Sequence, residues 1–336
     1  MAITKRKLGN RLVNPVGLGC MSLSWAFGVP PADEYSETLL NKALDAGYDH
    51  FDTARMYGLG HNEELIGRAI SHRREEFFLA SKTGIFADGS RRWVDCRPAV
   101  IMEALETSLR LLKTDHIDLY YLHRPDPVCP IEESIEALAG AVKAGKIGGI
   151  GLSEMSADTL RRAAAVHPIA AMQTEYSPMT RNPEIAVLEA CRELGTTFVA
   201  FSPVGRGALP GVMRDPSVLP PKDMRHVFPR FNAENWPKNL RLVDGFADIA
   251  RDCGVTPAQL AMAWVIGRAD HIVTIPGTAN IEHMQENIAR WDYALPQDAE
   301  ARIDALINRH SVAGGRYNPT MQATVTTEEF EPAISA

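Results

Sequence analysis

FFLASKT, Phe77–Thr83, is a near-continuous apolar run that gives way to a lysine. DLYYLH, Asp118–His123, repeats the pattern and stops at a histidine, and TFVAFSP, Thr197–Pro203, is a third run of the same kind. Strands covered on both faces read this way, whereas half-solvated antiparallel strands alternate apolar with polar residues. Outward from Phe77–Thr83, similar short runs recur at Pro15–Gly19, His50–Ala54, Gly148–Ser153, Ala170–Tyr176 and His271–Gly277. Helical spacing fills the intervals: Leu40, Ala43, Leu44 and Gly47 form one stripe, and Ile101, Ala104, Leu105, Ser108, Leu111 and Leu112 another. Asn182-Pro183-Glu184 and Thr256-Pro257 each set a capping side chain before a proline, which predicts a helix start at both.

Strands alternating with helices predict a parallel sheet. The count alone also allows an open doubly wound sheet. Gly17-Leu18-Gly19 begins like a dinucleotide fingerprint, but Ser22 stands where the third glycine belongs. The expected fold is therefore α/β, a (β/α)8 barrel forming one domain over residues 1–336. Lys5–Val13, turning at Gly9-Asn10, predicts a small hairpin ahead of the first barrel strand. Gly205–Asn235, after the seventh strand, is rich in Pro, Gly and Arg and too long for an ordinary connection, so it is a candidate lid. The polar stretch Ser311–Ala336, with Gly314-Gly315, reads either as a loosely packed surface tail or as a segment lining a pocket.

The chain's 336 residues fit one α/β barrel, and 45% hydrophobic with 23% charged residues is ordinary for a soluble domain. A net charge of −7, with no basic cluster interleaved with aromatics, argues against nucleic acid and against an anionic membrane as partner. Cys20, Cys96, Cys129, Cys191 and Cys253 are scattered without a C-x-x-C pair and read as reduced thiols. The opening MAITKRKLGN has no apolar signal core, and no apolar run approaches the roughly 18 residues of a membrane span. The expected location is the cytoplasm. The ten histidines show no clustered ligand spacing, so no metal is implied.

Asp52, Tyr57, Lys82 and His123 stand at or just beyond the ends of consecutive strand-like runs. Strand ends in a parallel barrel converge on one face, so the four should share a pocket. Alone, each has a structural explanation: a helix cap, a surface tyrosine, an ion-pair lysine, a packed histidine. Together they make a site for carbonyl reduction. Hydride transfer to a carbonyl creates an alkoxide, which needs a proton or a strong hydrogen bond. A tyrosine can donate it, and a nearby ammonium such as Lys82 is expected to lower the phenol's pKa from its reference near ~10. Asp52 would hold the lysine charged, and His123, neutral or charged, would orient the substrate oxygen.

The stretches FDTARMYGLGHNEELIGRAI, ASKTG, LYYLHR, GLSEMSADTLRRA, QTEYSP, FSPVGRGALPG and TIPGTANIEHMQEN resemble, in order and over nearly the whole chain, the aldo-keto reductase superfamily. The likeness is greatest to its prokaryotic branch with S-P-L-G-R-G and I-P-G-T signatures. It implies a TIM barrel that binds a nicotinamide cofactor at the carboxyl ends of its strands without a Rossmann fold, and reduces a small-molecule aldehyde or ketone. Carried over by position, Tyr57 is the general acid, Lys82 and Asp52 its support, and His123 the substrate orienter. Ser153 and Gln173 match the carboxamide contacts, with Glu154 where many relatives carry asparagine, and Phe201 matches the ring that stacks on the nicotinamide. Ser202, Val204, Gly205 and Arg206 match the pyrophosphate loop, and Gly277, Thr278, Glu286 and Asn287 the adenosine end. Where NADPH-preferring relatives carry arginine or lysine, this chain has Ala279, Asn280 and His283. Arg290, Arg214 or Lys222 could compensate, so NADP(H) is expected with NAD(H) tolerated. Trp25 is the best candidate substrate wall, with Phe86 and Trp93 behind it. Two other readings are a Schiff-base aldolase or isomerase using Lys82, and a cofactor-binding regulatory subunit with little turnover.

Overall fold

The computed structural model describes residues 4–88 and 91–331. Its centre is an eight-stranded parallel sheet in which each strand bonds to the next in chain order. These are β1 (Leu18–Gly19), β2 (His50–Asp52), β3 (Phe78–Thr83), β4 (Leu119–Leu122), β5 (Ile150–Ser153), β6 (Ile169–Glu175), β7 (Thr197–Phe201) and β8 (Ile272–Ile275). The ring closes between its ends: the Gly17 amide donates to the Thr274 carbonyl at 2.8 Å, and the Thr274 amide to Pro15 at 2.7 Å. An ideal Cβ on Gly17 would lie 2.5 Å from Nδ1 of His50, so the seam admits only glycine there. The (β/α)8 expectation holds, and the observed strands are shorter than the apolar runs. At their carboxyl ends the chain leaves the ladder and carries its side chains into the mouth.

Helices wrap the ring with their apolar stripes inward. In Pro98–Leu112 the buried face includes Ile101, Ala104, Leu105, Ser108 and Leu112 as expected, with Leu109 taking the place expected of Leu111. Thr256 begins Pro257–Gly267 with a reciprocal capping box: its hydroxyl accepts from the Gln259 amide and the Gln259 side chain accepts from its own. The second expected helix start fails. Asn182-Pro183-Glu184 makes a single 3-10 turn, and the helix begins at Val187. The Asn182 amide is drawn instead to the Glu328 carbonyl and the Glu329 carboxylate, both at 3.0 Å.

Three additions define the two ends of the barrel. The expected hairpin pairs Arg6–Leu8 with Arg11–Val13, turning through Gly9 at φ 56°. Leu8 and Val13 join the interior cluster of Phe78, Leu119, Tyr121, Val199 and Val273, so the amino-terminal end is a packed floor. The long segment after β7 is a series of short 3-10 turns. Met224 donates to Ala26 at 3.0 Å and Asp223 accepts from Gly28 at 2.7 Å, which ties that segment to the loop after β1 across the mouth. The third addition is the tail. Arg316, Tyr317, Val325 and Thr327 are buried, which selects the pocket-lining reading over the loose tail; residues 332–336 lie outside the described residues. No helix among the described residues is long and apolar enough to cross a membrane.

Candidate active site

The strand ends bring all four residues of the expected tetrad together. Lys82, near the end of β3, is fully buried. Its ammonium donates to Asp52 Oδ1, to the Thr53 carbonyl at 2.8 Å and to the Tyr57 hydroxyl at 3.4 Å. The other oxygen of Asp52 accepts from Gln173 Nε2 at 2.8 Å, so the carboxylate is fixed from two sides. Tyr57 and His123 meet edge to face with ring centroids 5.8 Å apart. Tyr57, His123 and Asp52 line the cavity at the mouth; Lys82 does not, and stands behind the phenol. Tyr57 opens a turn in which Gly58 and Leu59 are left-handed, at φ 58° and 57°. Such a conformation in a leucine is costly and persists where the surroundings demand it.

Electrostatics revise one expectation. Burial raises the Tyr57 pKa above its usual 10, and the Lys82 charge pulls it back without reversing the shift. The phenol therefore stays protonated at neutral pH, and the ammonium limits its rise. Burial works to discharge Lys82, but Asp52, with Tyr57 behind it, holds the ammonium above its ordinary value. His123 is pushed well below 6.5, first by burial and then by Arg124, Lys82 and Arg92. Both effects favour the neutral imidazole, the uncharged of the two donors expected.

The cavity has a volume of about 1160 Å³ and runs from Trp25 and Tyr57 to Thr278 and Glu286. That is larger than a small carbonyl compound needs, and it leaves room for a dinucleotide. Ser153, Gln173, Phe201, Ser202, Val204, Gly277, Thr278, Glu286 and Asn287 all line it. Ser202, Gly205, Arg206 and Gly207 are left-handed at φ 52°, 61°, 57° and 85°, a backbone that turns amides toward an anion. A Cβ on Gly277 would stand 3.2 Å from the Gly19 carbonyl and 3.4 Å from Ser22, so the wall stays thin there. These features fit a nicotinamide dinucleotide.

Several expected contacts change. The Arg206 guanidinium is not free for phosphate: it pairs with buried Glu175, donates to the Arg316 carbonyl at 3.0 Å and lies 3.7 Å from the Phe228 ring centroid. Gly205 shapes the loop without lining the cavity. Arg290 is outside it as well; the helix ends at Ala289 and the Arg290 guanidinium rests over Tyr293. Arg214 lines the cavity but pairs with Asp244 at 2.6 Å, and Lys222 is not a lining residue. Glu286 accepts from Thr256 at 2.6 Å while facing the cavity. Trp25 lines the cavity. Phe86 and Trp93 instead stack on each other in a hairpin, with centroids 6.1 Å apart, and Arg92 from the same hairpin faces the cavity. Sequence reasoning also missed Arg124, Phe228 and Tyr317 as lining residues. Arg124 had a signal, since it directly follows His123. Tyr317 had none within reach of local pattern.

Comparison with known proteins matches this geometry. Residues 15–308 fit the profile of the Aldo/keto reductase family. The chain belongs to that family. It is accordingly an oxidoreductase of small-molecule carbonyl compounds. A Schizosaccharomyces pombe aldo-keto reductase whose name specifies NADP(+) is 42% identical over 95% of this chain and 96% of its own. Another, from Strobilurus tenacellus, is 40% identical over 94% and 95%. Among solved structures, a glycerol dehydrogenase of Gluconobacter oxydans superposes with a TM-score of 0.83 at 27% identity, covering 95% of this reductase and 98% of that chain. An aldo/keto reductase of Klebsiella pneumoniae, solved with NADP and acetate, gives 0.71 at 28%, over 94% and 98%.

Proposed function

We propose that this reductase converts an aldehyde or ketone to its alcohol with Tyr57 as the proton donor. NADPH, when bound, supplies the hydride to the carbonyl carbon. Tyr57 donates its hydroxyl proton to the oxygen that becomes the alcohol. Lys82, held charged by Asp52, stabilises the phenolate left behind. Neutral His123 donates to the same oxygen and fixes its position. The single observation behind this reading is the Lys82–Tyr57 contact of 3.4 Å with Tyr57, and not Lys82, facing the cavity. The same observation disfavours a Schiff base at Lys82, whose ammonium is enclosed by Asp52, Thr53 and Tyr57.

For the cofactor, Ser153 and Gln173 would face the carboxamide and Phe201 the ring, with the loop Ser202–Gly207 at the phosphates. Gly277, Thr278, Glu286 and Asn287 would hold the adenosine. Neither lysine nor arginine stands at Ala279, Asn280 or His283, and Arg290 does not line the cavity. NADP(H) is then favoured over NAD(H) by a small factor, and Arg290→Ala leaves the ratio of kcat/KM for the two cofactors unchanged. One domain spans the chain, and five free cysteines suit a reducing cytoplasm.

Tyr57→Phe keeps the ring and removes the donor. It should lower kcat by about 10²–10⁴-fold with NADPH binding, read by fluorescence, retained. Near-normal turnover in that variant removes Tyr57 from its role.

A further inference from the structure

Five arginines line the cavity: Arg92, Arg124, Arg206, Arg214 and Arg225. Three are neutralised, Arg206 by Glu175, Arg214 by Asp244 and Arg225 by Asp223. Arg92 and Arg124 pair with no carboxylate among the described residues. The Arg124 guanidinium donates only to neutral groups, the His123 carbonyl at 2.7 Å and Ser153 Oγ at 3.4 Å. Arg92 lies over the Trp25 ring, 5.7 Å from its centroid.

The acids that line or adjoin the cavity have partners of their own: Glu286 accepts from Thr256 and Asp215 from the Ser217 amide. Glu154 gives one oxygen to Arg316 and the Glu175 amide, and the other to Arg316 and Thr327. Asp126 accepts from the amides of Cys96, Val128 and Cys129. Asp52 belongs to Lys82 and Gln173. Arg92, on an exposed hairpin, and half-buried Arg124 thus line one cleft with no ion pair of their own among the described residues, and desolvation and then the Arg124 charge lower the Arg92 pKa. An incoming anion would give both guanidinium groups a charge-assisted partner.

Position excludes the cofactor phosphates as that anion. Arg124 follows β4 and Arg92 sits in the hairpin after β3, whereas the left-handed phosphate loop follows β7 and Gly277 follows β8. Arg124 adjoins His123, on the side where a carbonyl would meet the phenol.

We infer that the substrate is a carbonyl compound bearing an anionic group, a carboxylate or a phosphate monoester, held by Arg92 and Arg124 beside Tyr57 and His123. This inference rests on the reductase reading above. The substrate's body lies between the rings of Trp25 and Tyr317, and its charge fixes which end reaches Tyr57.

The test compares three aldehydes of one shape: 4-carboxybenzaldehyde, 4-formylphenyl phosphate and the neutral methyl 4-formylbenzoate. With NADPH, kcat/KM for at least one anion should exceed that for the ester by about tenfold or more, mainly through KM. The better anion identifies carboxylate or phosphate. That preference should shrink in Arg92→Met and in Arg124→Met, and with added salt. Arg92, on the half-open hairpin, keeps the test usable should Arg124→Met fold poorly. Equal or better reduction of the ester overturns the inference and leaves the reductase reading standing. So does a loss of NADPH affinity, by fluorescence, in both variants with discrimination intact. Failure to reduce any of the three overturns this inference, while the proton-donor reading is decided separately by Tyr57→Phe on an aldehyde that is reduced.

Discussion

Lys82 is the residue on which the proposed chemistry turns, although it does not line the cavity. Its charge has two tasks: it counters Asp52 inside the barrel, and it limits how far burial raises Tyr57. Lys82→Met leaves a buried carboxylate unpaired, which should cost about 3–5 kcal/mol of stability. Thermal unfolding would show it as a large drop in Tm, and residual folded enzyme should reduce carbonyls very slowly. Asp52→Asn keeps the ammonium and removes its anchor, so its loss of stability should be smaller if the lysine finds the Thr53 carbonyl sufficient. The four residues were legible in the sequence because strand ends in a parallel barrel must converge. The direction of the Tyr57 shift was not, because a sequence shows the neighbouring charge but not the depth of burial that outweighs it.

At the scale of elements, the C-terminal tail completes the site. Arg316 reaches Glu154 through two nitrogens, at 2.9 and 2.8 Å, and the Thr326 amide donates to the Glu154 carbonyl at 3.0 Å. That clamp sets Tyr317 against the cavity, with Arg206 and Phe228 beside it. Glu154 is left-handed at φ 57° and fully buried, a conformation the clamp helps to maintain. Glu154→Gln removes the charge that Arg316 requires. The expected outcome is a loss of about 3 kcal/mol in unfolding free energy and a KM that rises more than kcat falls, because Tyr317 loses its support. Unchanged KM with lowered Tm would make the clamp purely structural. Glu154 drew notice in the sequence as a departure from asparagine, but its partner lies 162 residues away, and no local pattern joins the two. Asn182 misled for the same reason: its capping signal was real, and the tail outcompeted it.

For the whole molecule, closure of the barrel separates stability from function. The strands were readable because burial on both faces leaves apolar runs such as FFLAS and TFVAF. The hairpin floor was readable as a hairpin, but not as a plug. Leu8 is fully buried within the interior cluster, so Leu8→Ala should cost about 2–5 kcal/mol in denaturant unfolding. Turnover per folded molecule should be preserved, since the mouth lies at the other end of the strands. Reduced turnover with normal stability would mean that the two ends are coupled.

Which group gives the proton is decided most directly by the pH dependence of kcat/KM for carbonyl reduction. As the proposed proton donor, Tyr57, raised above 10, must be protonated to act, so on this account activity is lost as pH climbs through its pKa. His123, held well below 6.5, changes charge only in acid. The expected profile is flat from about pH 6.5 to about pH 10 and falls beyond it. A rate that declines through pH 6–8, as it would if a histidinium supplied the proton, contradicts the account.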